Sequence, residues 1–225
     1  MPLLIKICGL KTIEALDAAL DAGADMVGFV FFPPSPRNIG LEAAKILGER
    51  VKGRAKKVAL SVDATDAELT AAIEALKPDM LQLHGKEAPE RMASVRSRFR
   101  LPVMKALPIA TRADLSPIYA YANVADWLLF DARAPRGATR PGGLGKAFDW
   151  NVLERINPGV PFMLSGGLDA ANVSEALRIT RANAVDVSSG VERRPGDKDP
   201  QKIRAFVVAA RAADNELSGK AAKRA

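Results

Sequence analysis

"LIKICGLKTIEALDAALDAGADMVGFVFF", residues 4–32, decides the fold. It opens on a short apolar run, Leu4 to Cys8, and closes on a second, Met26 to Phe32. Between them Ile13, Leu16, Ala19 and Leu20 recur at helical spacing on one stripe, which stops at Gly23. Neither apolar run alternates strictly with polar residues, as expected of strands buried on both faces. Strand, helix and strand in succession form a βαβ unit and call for a parallel sheet.

The unit recurs along the chain. "KVALSV" (57–62), "MLQLH" (80–84), "PVMKAL" (102–107), "WLLFDA" (127–132), "PFMLSG" (161–166) and "AVDVSSG" (184–190) bring the strands to eight. "TDAELTAAIEAL" (65–76) carries a capping box, Thr65 with Glu68, and an inner face of Leu69, Ile73 and Leu76. "DAANVSEALRI" is expected to start at Asp169, with Val173, Ala176 and Leu177 inward, and "DPQKIRAFVVAAR" has Asp199 as N-cap and Pro200 in its first turn. "GADMVGFV", "KPDMLQLH" and "RANAVDVS" echo one another, each with Asp or Asn just ahead of a strand. Eight units in 225 residues imply a single-domain α/β protein, a (β/α)8 TIM barrel over residues 1–213 with a short polar, basic tail at 214–225. A doubly wound sheet is the alternative.

Composition narrows the function classes. Hydrophobic residues make up 48% and charged residues 26%, the balance of a globular domain. One Cys excludes an internal disulfide and fits a reducing compartment. The start lacks a signal-peptide pattern and no apolar run approaches membrane-spanning length, so a soluble cytoplasmic protein is expected. The net charge of +7 suits nucleic acid or a small anion equally. Aromatics, at 5%, are not interleaved with Lys and Arg, so no nucleic-acid partner is expected. A single His and a single Cys argue against a metal site. "CGLKT" stands where a dinucleotide fingerprint would, and Lys146 is followed by Ala147 where a P-loop needs Ser or Thr.

Barrel enzymes place their chemistry at the C-terminal ends of strands. That rule selects Cys8, Arg37, Asp63, His84, Asp131, Gly166–Gly167 and Ser188–Gly190. Alternation puts Lys6 on the face of Cys8, Gln82 on that of His84 and Leu129 on that of Asp131. Gly166, Gly167, Ser189 and Gly190 follow the last two strands, where barrels bind phosphate. The loop "GATRPGGLGKAFDW" (137–150) could close over a ligand through the amides of Gly143 and Gly145. Cys8 and Asp131, three strands apart in a ring of eight, can flank a ligand and shuttle a proton. Bland readings stand beside these: a packed thiol at Cys8, a structural His84, a surface Arg37 on its turn.

At "KICGL", "GFVFFPPSPR", "LQLHG", "GLGKAFDW", "SGGLDAANV" and "AVDVSSGVERRPGDKD" the sequence resembles the phosphoribosylanthranilate isomerases of tryptophan biosynthesis, over residues 4–210. The resemblance implies a cofactor-independent barrel enzyme that takes a small phosphorylated substrate carrying an anthranilate group, as monomer or homodimer. It implies Cys8 as general base, Asp131 as general acid and Arg37 near the anthranilate carboxylate. Gln82 and His84 would line the pocket; Gly143, Gly145, Gly166, Gly167, Ser189 and Gly190 would cradle phosphate. Lys6 and a basic pocket are expected to lower the Cys8 thiol pKa. The chain departs from the family pattern at Leu144, where Ser or Thr is frequent, and at Asp63 in "SVDA", where relatives often have "FVN".

Overall fold

The computed structural model describes residues 2–135, 137–145 and 147–222. Its strands are β1 (Leu4–Cys8), β2 (Met26–Phe31), β3 (Lys56–Ser61), β4 (Met80–Leu83), β5 (Val103–Ile109), β6 (Trp127–Ala132), β7 (Phe162–Leu164) and β8 (Ala184–Val187). They pair in chain order, all parallel, and β8 returns to β1 with Asp186 opposite Lys6, so the barrel closes. Closure removes the doubly wound alternative. Around it run α1 (Ile13–Asp21), α2 (Leu41–Val51), α3 (Asp66–Leu76), α4 (Pro89–Phe99), α5 (Ile118–Ala122), α6 (Val173–Thr180) and α7 (Pro200–Ala222). A hairpin, β9 (Glu192–Arg194) with β10 (Asp197–Lys198), stands between β8 and α7.

The sequence echoes ahead of the strands have a physical job. Asp25 accepts the Ile5 N–H at 2.7 Å, Asp79 that of Lys57 at 2.7 Å, Asp126 that of Val103 at 2.9 Å and Asn183 that of Phe162 at 3.1 Å. Each side chain ties one strand to the start of the strand before it, satisfying amides at the bottom rim. Caps set the helices: Thr65 and Glu68 form the reciprocal box of α3, and Asp199 accepts the Gln201 N–H at 2.8 Å below Pro200.

Some local expectations change. Ile13 is exposed, and α1 turns Ala15, Leu16, Ala18, Ala19 and Leu20 inward instead. α6 begins at Val173, because Asp169 spends its carboxylate on the N–H groups of Ala171 and Asn172 in the preceding turn. After β6 the described residues form no α-helix but the glycine-rich loop and a 3-10 turn, Trp150–Leu153; Pro and Gly remove the donors and rigidity a helix needs. α7 runs on to Ala222, through most of the segment expected to be a tail, and Asp214 accepts the Leu3 N–H at 3.1 Å. Residues 223–225 lie outside the described residues.

The barrel interior is stratified. Met26, Val58, Met80, Met104, Leu129 and Met163 fill its lower part. Above them lies a buried polar layer of Lys6, Gln82, Ser165 and Asp186. Cys8, Val30 and Leu60 pack at the mouth with Phe32 and Val62. The packed floor leaves a ligand the C-terminal face as its way in.

Candidate active site

Cys8 ends β1 and Asp131 stands on β6, and both line one cavity at the mouth together with Arg37, His84, Ser165 and Asp186. Cys8 is 3% exposed and Asp131 5%. Beneath them a hydrogen-bond chain crosses the barrel. Lys6 Nζ donates to Gln82 Oε1 at 2.7 Å and to Asp186 Oδ1 at 2.9 Å. Gln82 Nε2 meets His84 Nδ1 at 3.2 Å, and His84 Nε2 meets Asp131 Oδ2 at 3.2 Å. Lys6 can only donate, so Gln82 turns its carbonyl oxygen toward it and its amide nitrogen toward His84. Nδ1 of His84 therefore accepts, and its proton sits on Nε2, donated to Asp131. The other carboxylate oxygen of Asp131 accepts the Ala132 N–H at 2.9 Å. Each oxygen keeps a further lone pair to carry a reacting proton.

Gln82 is thus a floor residue, fully buried and outside the cavity lining, that reaches the cavity through His84 and, by way of Lys6, through Asp186. Gln82→Leu removes the donor that holds the His84 ring against Asp131 and leaves Lys6 Nζ one acceptor fewer. The expected result is a loss of kcat with affinity for a phosphorylated ligand retained. An unchanged kcat would leave Gln82 a packing residue.

Charge shapes Cys8 in two directions. Burial raises its thiol pKa, and Asp186 adds to the rise, while the ammonium groups of Lys6 and Lys198 oppose it. Burial wins, so the thiol lies above its ordinary value, opposite to the direction expected from Lys6 alone. Burial also works to lower the Lys6 pKa, but pairing with Asp186 and the nearby Cys8 outweighs it, and Lys6 stays charged. Gly28 on β2 makes room for this cluster: a Cβ there would lie 2.8 Å from Cys8 Sγ and 3.2 Å from Lys6 Cε. Gly28→Ala should lower kcat by about 10²-fold through displacement of the thiol, with affinity for a phosphorylated ligand retained. Unchanged kcat would show that Cys8 can shift freely.

Arg37 is not on the surface. It is 4% exposed, and its Nε and Nη2 each donate to Glu192 at 2.7 Å, with Nη2 also reaching Gly143 O at 3.1 Å. Lys198 Nζ joins Glu192 at 2.9 Å and Ser188 O at 2.8 Å. Burial raises the Glu192 carboxyl, but Arg37 and Lys198 outweigh it and hold it low. Burial brings Lys198 down to about 8. The β9–β10 hairpin exists to deliver Glu192 and Lys198 to this point, and neither was singled out from sequence. Their signal was faint: two opposite charges six residues apart around "RPG".

The phosphate candidates divide. Gly166, Gly167, Ser189, Gly143 and Gly145 line the cavity; Gly190 does not. The N–H groups of Gly166 and Gly167 find no acceptor among the described residues. A Cβ at Gly190 would sit 1.9 Å from Leu168 O, and one at Gly166 2.4 Å from the Ala132 nitrogen. Substitution at either strikes backbone before it meets a ligand. Gly142, passed over in the sequence, lies against the acid pair: its Cβ would come 2.3 Å from Asp131 Oδ2. Asp63 holds a left-handed backbone, φ 49°, a conformation that Asn and Asp tolerate, which accounts for either residue there. Glu87, paired with Lys105 at 2.7 Å, accepts the N–H of Asp63 at 2.8 Å and of Gly85 at 2.9 Å and so braces the loop that follows His84.

The family described as N-(5'-phosphoribosyl)anthranilate (PRA) isomerase matches residues 5–209. The chain belongs to the phosphoribosylanthranilate isomerase family. An N-(5'-phosphoribosyl)anthranilate isomerase of Bradyrhizobium sp. (strain ORS 278) is 65% identical over 218 residues, 97% of this chain and 99% of that protein. The phosphoribosyl anthranilate isomerase of Thermotoga maritima superposes with a TM-score of 0.84 at 32% identity, covering 93% of this chain and 99% of that one. A structure of a phosphoribosyl anthranilate isomerase in complex with reduced 1-(o-carboxyphenylamino)-1-deoxyribulose 5-phosphate gives a TM-score of 0.79 at 30% identity over 93% of this chain and 99% of that one. Family membership thus covers the whole barrel, the mouth and its loops included. Among the described residues no helix is long and apolar enough to cross a membrane.

Proposed function

We propose that Cys8 and Asp131 are the general base and general acid of the reaction this chain catalyses. That reaction is the Amadori rearrangement of N-(5-phosphoribosyl)anthranilate to 1-(o-carboxyphenylamino)-1-deoxyribulose 5-phosphate, a step of tryptophan biosynthesis. Asp131 gives a proton to the ribose ring oxygen, and the furanose opens to a Schiff base. The Cys8 thiolate then takes the proton from C2′, and the enolamine tautomerises to the ketone. One observation carries the assignment: the thiol of β1 and the carboxylate of β6 line the same cavity, three strands apart in the ring. Two proton-transfer groups on opposite walls can act on successive atoms of one bound sugar.

Around this pair the other residues take supporting roles. The amides of Gly166, Gly167 and Ser189 receive the phosphate, with Gly143 and Gly145 closing from the loop after β6. Gly190 supports that turn by its close packing on Leu168 O. Arg37, held flat by Glu192, faces the anthranilate carboxylate with its remaining N–H groups. The protein works in the cytoplasm without cofactor or nucleic acid, as a monomer or homodimer. Anthranilate-type fluorescence should fall when freshly made phosphoribosylanthranilate meets the protein in the presence of EDTA. Absence of protein-dependent loss would overturn the reading.

A further inference from the structure

Arg140 stands on the glycine-rich loop after β6. Its Nε is buried and finds no hydrogen-bond acceptor among the described residues. A donor buried without a partner costs the full loss of its hydration. Native structures tolerate such groups chiefly where a ligand or water completes them.

Its place in the mouth says what that ligand group is. The cavity that holds Cys8 has a volume of ≈ 80 Å³ and adjoins a second of ≈ 430 Å³. Small-molecule sites ordinarily occupy about 300–1,000 Å³, so the substrate spans both. Arg140 lines both cavities, as do His84 and Asp131, and so stands at their junction. The free amides of Gly166 and Gly167, with Ser189, belong to the inner cavity alone, on the side of β7 and β8. The outer cavity takes nothing from those two strands. Pro108 lines it alone, and with Phe32, Val62 and Pro141, which both cavities share, it forms an apolar surface suited to a flat ring. The amides thus place the phosphate end in the inner cavity, and Arg140 stands at the junction through which the ring end extends outward, its chain neighbours Gly137, Ala138 and Thr139 lining the outer cavity alone.

Arg37 leaves work for a second cation. Its guanidinium already pairs with Glu192 through two nitrogens, so a carboxylate arriving there meets a charge largely neutralised by its neighbour. Arg133, also on the outer wall, is committed to Asp114.

We propose that Arg140 is a specificity-determining contact, the second cation that receives the carboxylate on the substrate's aromatic ring. The proposal rests on the substrate assignment above and deepens it. The carboxylate supplies the acceptor that Arg140 Nε lacks, and the arginine fork matches its geometry.

Two ligands differing in one group test it: reduced 1-(o-carboxyphenylamino)-1-deoxyribulose 5-phosphate and its phenylamino counterpart without the carboxylate. Their dissociation constants are measured by calorimetry on the full-length wild type, Arg140→Met and Arg140→Lys. Arg140→Met should weaken the carboxylate ligand by about 10- to 100-fold, the worth of a charge-assisted contact, and should barely change the phenylamino ligand. Arg140→Lys, which keeps the charge without the fork, should fall between wild type and Arg140→Met. Equal weakening of both ligands would mean that the loop had been distorted, and no weakening of either would mean that Arg140 faces solvent; each result overturns the assignment. A wild type that turns over no phosphoribosylanthranilate would overturn the substrate reading itself, an outcome separable from a working wild type with an indifferent Arg140→Met.

Discussion

Cys8→Ser should lose about 10²- to 10⁴-fold in kcat, and Asp131→Asn a similar factor, because each removes one proton transfer from the reaction. Both variants should retain affinity for the reduced product analogue, since neither side chain is assigned to hold phosphate or carboxylate. Cys8→Ser is the sharper of the two. It nearly keeps the volume at a site that is 3% exposed, so packing survives, but a hydroxyl is a far poorer base than a thiolate. The pH dependence follows from the direction of the thiol shift. Burial holds the Cys8 thiol above its ordinary value, and the proposed base acts in its deprotonated form. The thiolate fraction of the free enzyme is therefore small at neutral pH and grows as pH rises through and beyond about 8.5, the ordinary thiol range. kcat/KM of the wild type should climb over that interval. Loss of the Lys198 charge from about pH 8 upward removes one group that favours the thiolate, which broadens the climb. Cys8→Ser should show no such climb, whereas Asp131→Asn should keep it. kcat/KM against pH separates these cases, and single-turnover rates at saturating enzyme compare each variant with wild type. A Cys8→Ser variant with more than about a tenth of the wild-type rate would make the cysteine a core residue and send the search to another base.

The barrel was legible because its signals repeat. Eight apolar runs without strict alternation, spaced by amphipathic helices, leave few topologies, and the Asp or Asn ahead of several strands records the ties that join one strand to the next. Strand-end position alone pointed to Cys8, Asp131 and His84, since closure of the ring forces those ends onto one face. What stayed hidden depends on pairing across the ring. From sequence Lys6 is a helper of the thiol, yet its ammonium bonds Asp186 and Gln82, and burial moves the thiol the other way. Asp186 could have been found: it shares an inward face with Ser188, and an inward lysine on β1 demands a carboxylate nearby. Glu192 and Lys198 could not have been placed by alternation, because they sit on a hairpin outside the barrel. Ile13 misled for a simpler reason. α1 is nine residues long and rich in alanine, and small residues at Ala15, Ala18 and Ala19 let it pack closely without a large anchor in its first turn.

Arg37→Ala should cost roughly 30- to 1,000-fold in kcat/KM, the scale of about 2–4 kcal/mol for a buried charge contact that loses its partner. The structure adds a second consequence. Glu192 would lose two hydrogen bonds of 2.7 Å and keep only Lys198, at 2.9 Å, to balance its charge. Breaking a buried pair destabilises by about 3–5 kcal/mol, and the remaining lysine places Arg37→Ala at the lower end of that range. The loop after β6 would also lose its anchor at Gly143 O. Binding and folding effects must therefore be read apart. Arg37→Lys restores a positive charge to Glu192 but cannot form the two-nitrogen fork, so it should recover most of the stability in urea and little of the kcat/KM. Glu192→Gln runs the other way. It leaves Arg37 in place with its charge less neutralised, and so should strengthen binding of a carboxylate ligand relative to a phosphate-only one while destabilising the fold. If Arg37→Lys regained activity in step with stability, the arginine would be a structural strut for the hairpin, and the carboxylate would have to be held from elsewhere in the mouth.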